Sequence, residues 1–173
     1  MSTSLRKCDT SLRAKVEEYL SILEERDITV ADSDFSRPWG GFILLEEKKA
    51  AAFAQVFFSG MVLDKSIFYR KLSPKLIFVH PQARLSWQYH HRRSEIWQVL
   101  EGPVGIVRSE TDEETPMKTY RKGERVELAQ GERHRLVGLE NMGVVAELWQ
   151  HTNPENPSSE EDIIRVQDDF KRT

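Results

Sequence analysis

An all-β fold, a single jelly-roll barrel with an N-terminal helix and a short C-terminal helix, is predicted by three features of this sequence. Eight short apolar or alternating runs follow one another from Gly40 onward, separated by Gly, Pro, Asp and Asn. Only one stretch near the start repeats its apolar residues strongly at helical spacing. The chain has 173 residues, enough to bury roughly 70% of its unfolded surface around one core, and it shows no internal repeat or low-complexity linker.

Taken in order, Leu12, Val16, Leu20 and Leu23 fall on one stripe, so residues 10–26 are expected as a helix with Asp9, Thr10 or Ser11 placed to cap it. This N-terminal extension, residues 1–35, should pack on the barrel or on a second subunit; the barrel domain occupies residues 36–173. Strands are expected at Phe42–Leu45, Lys75–Val79, Arg84–His90, Ile96–Leu100, Gly105–Arg108, Arg125–Leu128, His134–Leu139 and Val144–Gln150. Periodicity leaves Ala50–Phe58 open between an inserted helix and an extra strand. The acidic stretch Ser109–Thr115 reads as a solvated hairpin loop. After Pro154 and Pro157, Ser158 and Ser159 are placed to cap a short acidic helix from near Glu160.

Four metal-competent side chains stand at telling intervals. On a strand, Gln88 and His90 point to one face because successive side chains alternate, and Glu95 follows a short polar turn. His134 opens a distant strand after Gly131-Glu132-Arg133. Oxygen and nitrogen donors without a thiolate suit zinc, manganese, iron, cobalt or nickel. Singly, each residue reads as an ordinary polar barrel position; together they read as a metal site. His91 should face away from His90, which leaves it as a supporting or substrate-binding group. The run His90-His91-Arg92-Arg93 reads either as a solvated turn or, beside a metal, as a place for a phosphate monoester, which the Arg fork matches.

These residues resemble the cupin pattern, with Gln88-x-His90, four residues, Glu95, six residues, Gly102 as its first motif and Gly123 through His134 as its second. Gln88 stands where the first His is usual, and Ala129 where Pro is. Within the cupins the chain is similar to type II mannose-6-phosphate isomerases, including the isomerase domain of bifunctional mannose-1-phosphate guanylyltransferases. Arg37-Pro38-Trp39-Gly40, Leu85 through Trp97, Arg133-His134-Arg135-Leu136 and Glu160 through Arg172 carry that similarity, in order, over about residues 36 to 172. Departures are Arg92 in place of a third His, Gln82 after Pro81 where Gly is usual, and a longer stretch from Glu46 to Ser73. These bear on which sugar fits and leave the metal motif whole.

The resemblance implies a metal-dependent aldose–ketose isomerase of a sugar phosphate, mannose 6-phosphate and fructose 6-phosphate being the first pair, with another hexose or heptose phosphate close behind. It implies a divalent cation, zinc foremost, held by Gln88, His90, Glu95 and His134. It places Arg93 in the cavity, binding phosphate or stabilising developing charge, and Lys75 assisting oxygen or proton transfer; His91 and Arg92 are the candidates for substrate contact. Arg133 and Arg135 alternate with His134 and are weaker candidates. Trp39, Trp87 and Trp97 are expected as core or platform aromatics. The general base is left unnamed. Two other readings stand beside this one: a non-catalytic metal-containing cupin that binds a sugar or sugar nucleotide, and an iron-dependent dioxygenase.

Composition narrows the classes further. A net charge of −3, with basic and acidic residues interspersed, offers no broad footprint for nucleic acid. No apolar run approaches the roughly 20 residues of a membrane span, and the N-terminal Arg6, Lys7, Asp9 and Arg13 do not read as a secretion signal. The single cysteine, Cys8, excludes an intrachain disulfide and fits a reducing compartment, so a cytoplasmic protein is expected. A homodimer is expected by analogy with barrel cupins.

Overall fold

The computed structural model describes residues 9–58, 60 and 71–170. Cys8, part of the 46–73 segment and the terminal Lys171 and Arg172 lie outside the described residues. Helix α1, Thr10–Glu25, starts where Asp9 accepts hydrogen bonds from the backbone N–H groups of Ser11 and Leu12, both at 3.0 Å. Strands β1 (Val30–Arg37) and β2 (Gly40–Leu45) form a hairpin, and α2 (Ala50–Phe57) follows. Then come β3 (Lys75–Val79), β4 (Trp87–His90), β5 (Arg93–Glu101), β6 (Val104–Ser109), β7 (Lys118–Tyr120), β8 (Arg125–Leu128), β9 (Arg133–Gly138), β10 (Gly143–His151) and β11 (Ile163–Gln167).

The strands make two antiparallel sheets, ordered β1-β2-β3-β10-β5-β8 and β11-β4-β9-β6-β7, the jelly roll expected. Alternation of side chains explains why the centre of the six-stranded sheet is apolar on both faces. Leu76 and Phe78 of β3, with Val144, Ala146 and Leu148 of β10, face outward and pack against α1 and α2. Ile77, Val79 and Val145 face inward with Trp97 and Val99 of β5, meeting Val104, Ile106 and Leu136 from the other sheet. Burial of each large apolar side chain contributes about 1.5–3 kcal/mol.

Helix α1 lays Leu12, Val16, Tyr19 and Leu23 into that outer cluster, and the Tyr19 ring meets the edge of Phe78 at 5.7 Å. Its apolar stripe is thus buried within its own chain. The open choice at Ala50–Phe58 resolves as a helix, because Ala50, Phe53, Ala54 and Phe57 recur at three- and four-residue spacing and all enter the same cluster. Gly40 turns the first hairpin with φ +135°, where a Cβ would lie 2.1 Å from the Phe78 carbonyl oxygen. The acidic helix expected near Glu160 is a single 3-10 turn, Glu160–Asp162, and the chain then runs on as β11 along β4.

Candidate metal centre

Register across the strands assembles the site. On the inner face of the six-stranded sheet, Lys75 of β3 is paired with Glu147 of β10, and Glu147 with Trp97 of β5; Glu95 is paired with Trp149. From the opposite sheet, Gln88 of β4 is paired with His134 of β9. His90, two residues on, shares the inward face with Gln88. Glu95, Lys75, Gln88, Trp39 and Arg93 line a cavity, together with Arg37, Glu147, Glu160 and Arg165.

The ligand atoms of His90, Glu95 and His134 lie within 4.8 Å of one another, and all three residues are buried. His90 Nε2 is 3.1 Å from Glu95 Oε1, and His134 Nε2 is 3.4 Å from Glu95 Oε2. Each ring is oriented from behind by a carbonyl: His134 Nδ1 is 2.9 Å from the Glu132 oxygen and His90 Nδ1 is 3.4 Å from the Asp162 oxygen. With the proton on Nδ1, each Nε2 presents a lone pair to the cluster, the arrangement that ligating histidines require. His134 Nε2 is buried with no hydrogen-bond partner among the described residues. A buried lone pair facing a carboxylate oxygen is costly unless a cation stands between them. Two imidazoles and a carboxylate fit a divalent cation in the zinc to manganese range, and Gln88 stands beside them with an amide oxygen that accepts from Ser86 Oγ at 2.6 Å.

Arg93 is the cation these groups already meet. Its guanidinium donates to Glu95 Oε1 at 2.7 Å, Ser158 Oγ at 2.9 Å and the Ser159 carbonyl at 3.1 Å, stands 3.1 Å from His90 Nε2, and lies over the Trp149 ring at 3.5 Å. Burial opposes the charge on Glu95, but His90 and Arg93 outweigh it and hold the carboxyl well below the usual range. His90 is shifted downward, chiefly by burial. Glu147 goes the other way: burial and then the Glu95 charge push it up to about 7, against the pull of Lys75 and Arg93. Its two oxygens accept from Trp97 Nε1 at 3.0 Å and Trp149 Nε1 at 2.9 Å, and the same Trp97 N–H reaches Glu95 Oε2 at 3.1 Å. Lys75 Nζ is 2.8 Å from Glu160 and 3.5 Å from Glu147; burial would lower its pKa, yet the two carboxylates together raise it.

Of the residues singled out in the sequence, His90, Glu95 and His134 come together, Gln88 stands with them, and Lys75 and Arg93 line the same cavity. His91 and Arg92 do not line it. His91 is exposed and turned edge-on to Tyr89 at 5.2 Å, because it alternates with His90; Arg92 is held on the far side of the turn by Asn156 and Asp162. Arg133 and Arg135 turn away as expected, to Asp112 and to Glu114 with the Leu85 carbonyl. Trp39 lines the cavity with its indole N–H unpartnered among the described residues. Sequence reasoning missed Glu147, Glu160 and Asp162. Asp162 accepts from the backbone N–H groups of His91 at 3.3 Å and Arg92 at 2.9 Å, fixing the turn beside His90.

No helix among the described residues is long and apolar enough to cross a membrane. A search of curated protein sequences returns no match. Among solved structures, tomato vicilin (Solanum lycopersicum) aligns at 21% identity with TM-score 0.52, covering 77% of this chain and 35% of that one. The capsular polysaccharide assembling protein CapF of Staphylococcus aureus aligns at 14% identity and TM-score 0.49 over 80% of this chain and 34% of its own. Recombinant oxalate oxidase in complex with glycolate aligns at 17% identity and TM-score 0.45 over 55% of this chain, which spans 46% of that protein's length. The vicilin alignment, at a TM-score of 0.52 and 21% identity, speaks for the fold alone. A family model described as mannose-6-phosphate isomerase C-terminal matches residues 24–168, which contain every strand among the described residues and the whole His–Glu–His cluster, and the chain belongs to this cupin-type family.

Proposed function

We propose that the chain is a metal-dependent aldose–ketose isomerase of a sugar phosphate, with mannose 6-phosphate and fructose 6-phosphate as the first pair to test. The observation that carries this reading is the buried His90–Glu95–His134 cluster, reaching through Glu95 and Gln88 into a cavity that four cationic residues also line. His90, Glu95, His134 and Gln88 would hold the cation, zinc foremost. A divalent cation there supplies a Lewis acid that polarises a carbonyl oxygen and steadies the charge of an enediolate.

The remaining roles belong to the protein's own groups. Lys75 presents a buried ammonium to the cavity, suited to a sugar oxygen that gains negative charge. Arg37 and Arg165 line the cavity and are the proposed holders of the phosphate, in place of His91 and Arg92. Arg93 donates to four protein groups, so its proposed part is to orient Glu95 and His90 rather than to grip the substrate. A cytoplasmic location and a homodimer belong to the same proposal.

The test is interconversion of mannose 6-phosphate and fructose 6-phosphate by protein stripped with a chelator and reloaded with zinc, manganese or cobalt. Turnover that appears only on reloading supports the reading. Bound metal with no turnover of any hexose or heptose phosphate would move the function to a sugar-binding module.

A further inference from the structure

Moving a hydrogen between adjacent sugar carbons requires a base that can take it from one and return it to the other. Among the described residues three carboxylates line the cavity: Glu95, Glu147 and Glu160. Glu95 is engaged by both histidines and Arg93. Glu160 has a side chain 64% exposed at the rim, paired with Lys75. Glu147 is buried on the cavity wall, between inward-facing apolar residues Val145 and Trp149 of its own strand.

Its carboxylate is aimed. Trp97 Nε1 donates to Oε1 at 3.0 Å and Trp149 Nε1 to Oε2 at 2.9 Å, while Lys75 Nζ stands 3.5 Å from Oε2. The two indole rings can move little in a packed core, so the carboxylate is held with lone pairs to spare, and the Trp97 N–H ties its position to that of Glu95 at 3.1 Å. A buried acid between Val145 and Trp149 on a central strand is costly for folding, which points to a use in the cavity.

We propose that Glu147 is the base of this site and carries the hydrogen between C1 and C2 of the bound sugar phosphate, an inference that rests on the isomerase reading. In the aldose-to-ketose direction the carboxylate takes the proton from C2. The C2–H electron pair becomes the C1=C2 bond, and the carbonyl π pair moves to O1. The remaining hydroxyl proton passes from O2 to O1, with the Lys75 ammonium donating hydrogen bonds to these oxygens. The O2 electron pair then forms C2=O2, and the C1=C2 pair takes the proton from Glu147 at C1. Both protein groups end as they began, and no oxidant or reductant is consumed.

Full-length metal-loaded protein, incubated with fructose 6-phosphate in D2O and followed by NMR, tests this. Wild type should interconvert the sugars and wash deuterium into the migrating position. Glu147→Gln should lose kcat by about 10²–10⁴-fold together with deuterium wash-in, with bound metal unchanged and KM within about threefold. If Glu147→Gln does not fold, Glu147→Asp decides: a carboxylate drawn back along the strand normal should lower kcat at least about tenfold at unchanged metal content. Either variant turning over within about threefold of wild type overturns the assignment. Loss of metal in step with activity would overturn it too, by making Glu147 a structural support. A wild-type protein that never turns over the substrate sinks the isomerase reading itself.

Discussion

Removing the Asp162 carboxylate should loosen both the fold and the metal cluster. Its Oδ2 accepts from Arg92 N–H at 2.9 Å and from Ser158 Oγ at 2.7 Å, and its Oδ1 from His91 N–H at 3.3 Å. A hydrogen bond to a charged acceptor contributes about 1.5–3 kcal/mol. The two short bonds therefore set a loss near 3–6 kcal/mol, and water reaching the exposed His91 side of the turn reduces the expectation for Asp162→Ala to about 2–4 kcal/mol. Burial opposes the Asp162 charge, but the bonds from Ser158, Arg92 and His91 outweigh it and lower the pKa. A depressed carboxyl stabilises the fold above its unfolded pKa and loses that contribution as pH falls through the folded value. The penalty should thus be full at pH 7 and shrink below about pH 4. The substitution keeps the Asp162 main-chain carbonyl that backs His90 Nδ1 at 3.4 Å but loosens the turn that places it, so metal affinity should fall about tenfold. Urea unfolding of stripped protein, with a competitive zinc titration, measures both. A variant within about 0.5 kcal/mol of wild type and with unchanged zinc affinity would refute this role of Asp162.

Three further outcomes are expected. Arg93→Met leaves Glu95 buried without its guanidinium partner, so stripped protein should lose about 3–5 kcal/mol and saturating metal should close much of the gap; equal losses with and without metal would count against a shared cation position. His151 is buried with Nδ1 accepting from Ser158 N–H at 2.8 Å, and burial, then Lys71, lowers its pKa to about 4. An unfolded His takes up a proton below about pH 6.5 while the folded one does not, so stability should fall by about 2 kcal/mol between pH 6.5 and 5. His151→Asn keeps the acceptor and should flatten that slope; an unchanged slope would place the titration elsewhere. Gly40→Ala sets a Cβ against the Phe78 carbonyl at a φ of +135° and should cost at least about 3 kcal/mol by denaturant unfolding, a loss under about 1 kcal/mol being the contrary result.

What was legible in the chain follows from what is local. Eight short apolar or alternating runs became strands β2 to β6 and β8 to β10. The strands that escaped notice lie at or near sheet edges. In β1 only Phe35 is buried among Asp and Ser; β7 is three residues long; β11 follows an acidic segment and leaves Ile164 and Val166 exposed. Such strands need no apolar face, so the sequence carries little sign of them. The metal cluster was readable because Gln88, His90 and Glu95 sit on one strand–turn–strand unit. Glu147 was not, because its place beside Lys75 and Trp97 depends on pairings of β10 with β3 and β5 that join distant parts of the chain. The same holds for Asp162 and Glu160, brought to the site by the returning C-terminal segment. The expectation for His91 and Arg92 failed where alternation and a competing carboxylate, Asp162, carried both away from the cavity.

Metal stoichiometry is the measurement that bears most directly on this account. Purified wild-type protein and the His134→Ala variant, each equilibrated with zinc, freed of excess and analysed by plasma mass spectrometry, should hold about one ion per chain and nearly none, respectively, as a three-residue donor set requires. Wild-type protein that retains no metal, or a His134→Ala variant that retains it in full, would contradict the metal centre and the isomerase built on it.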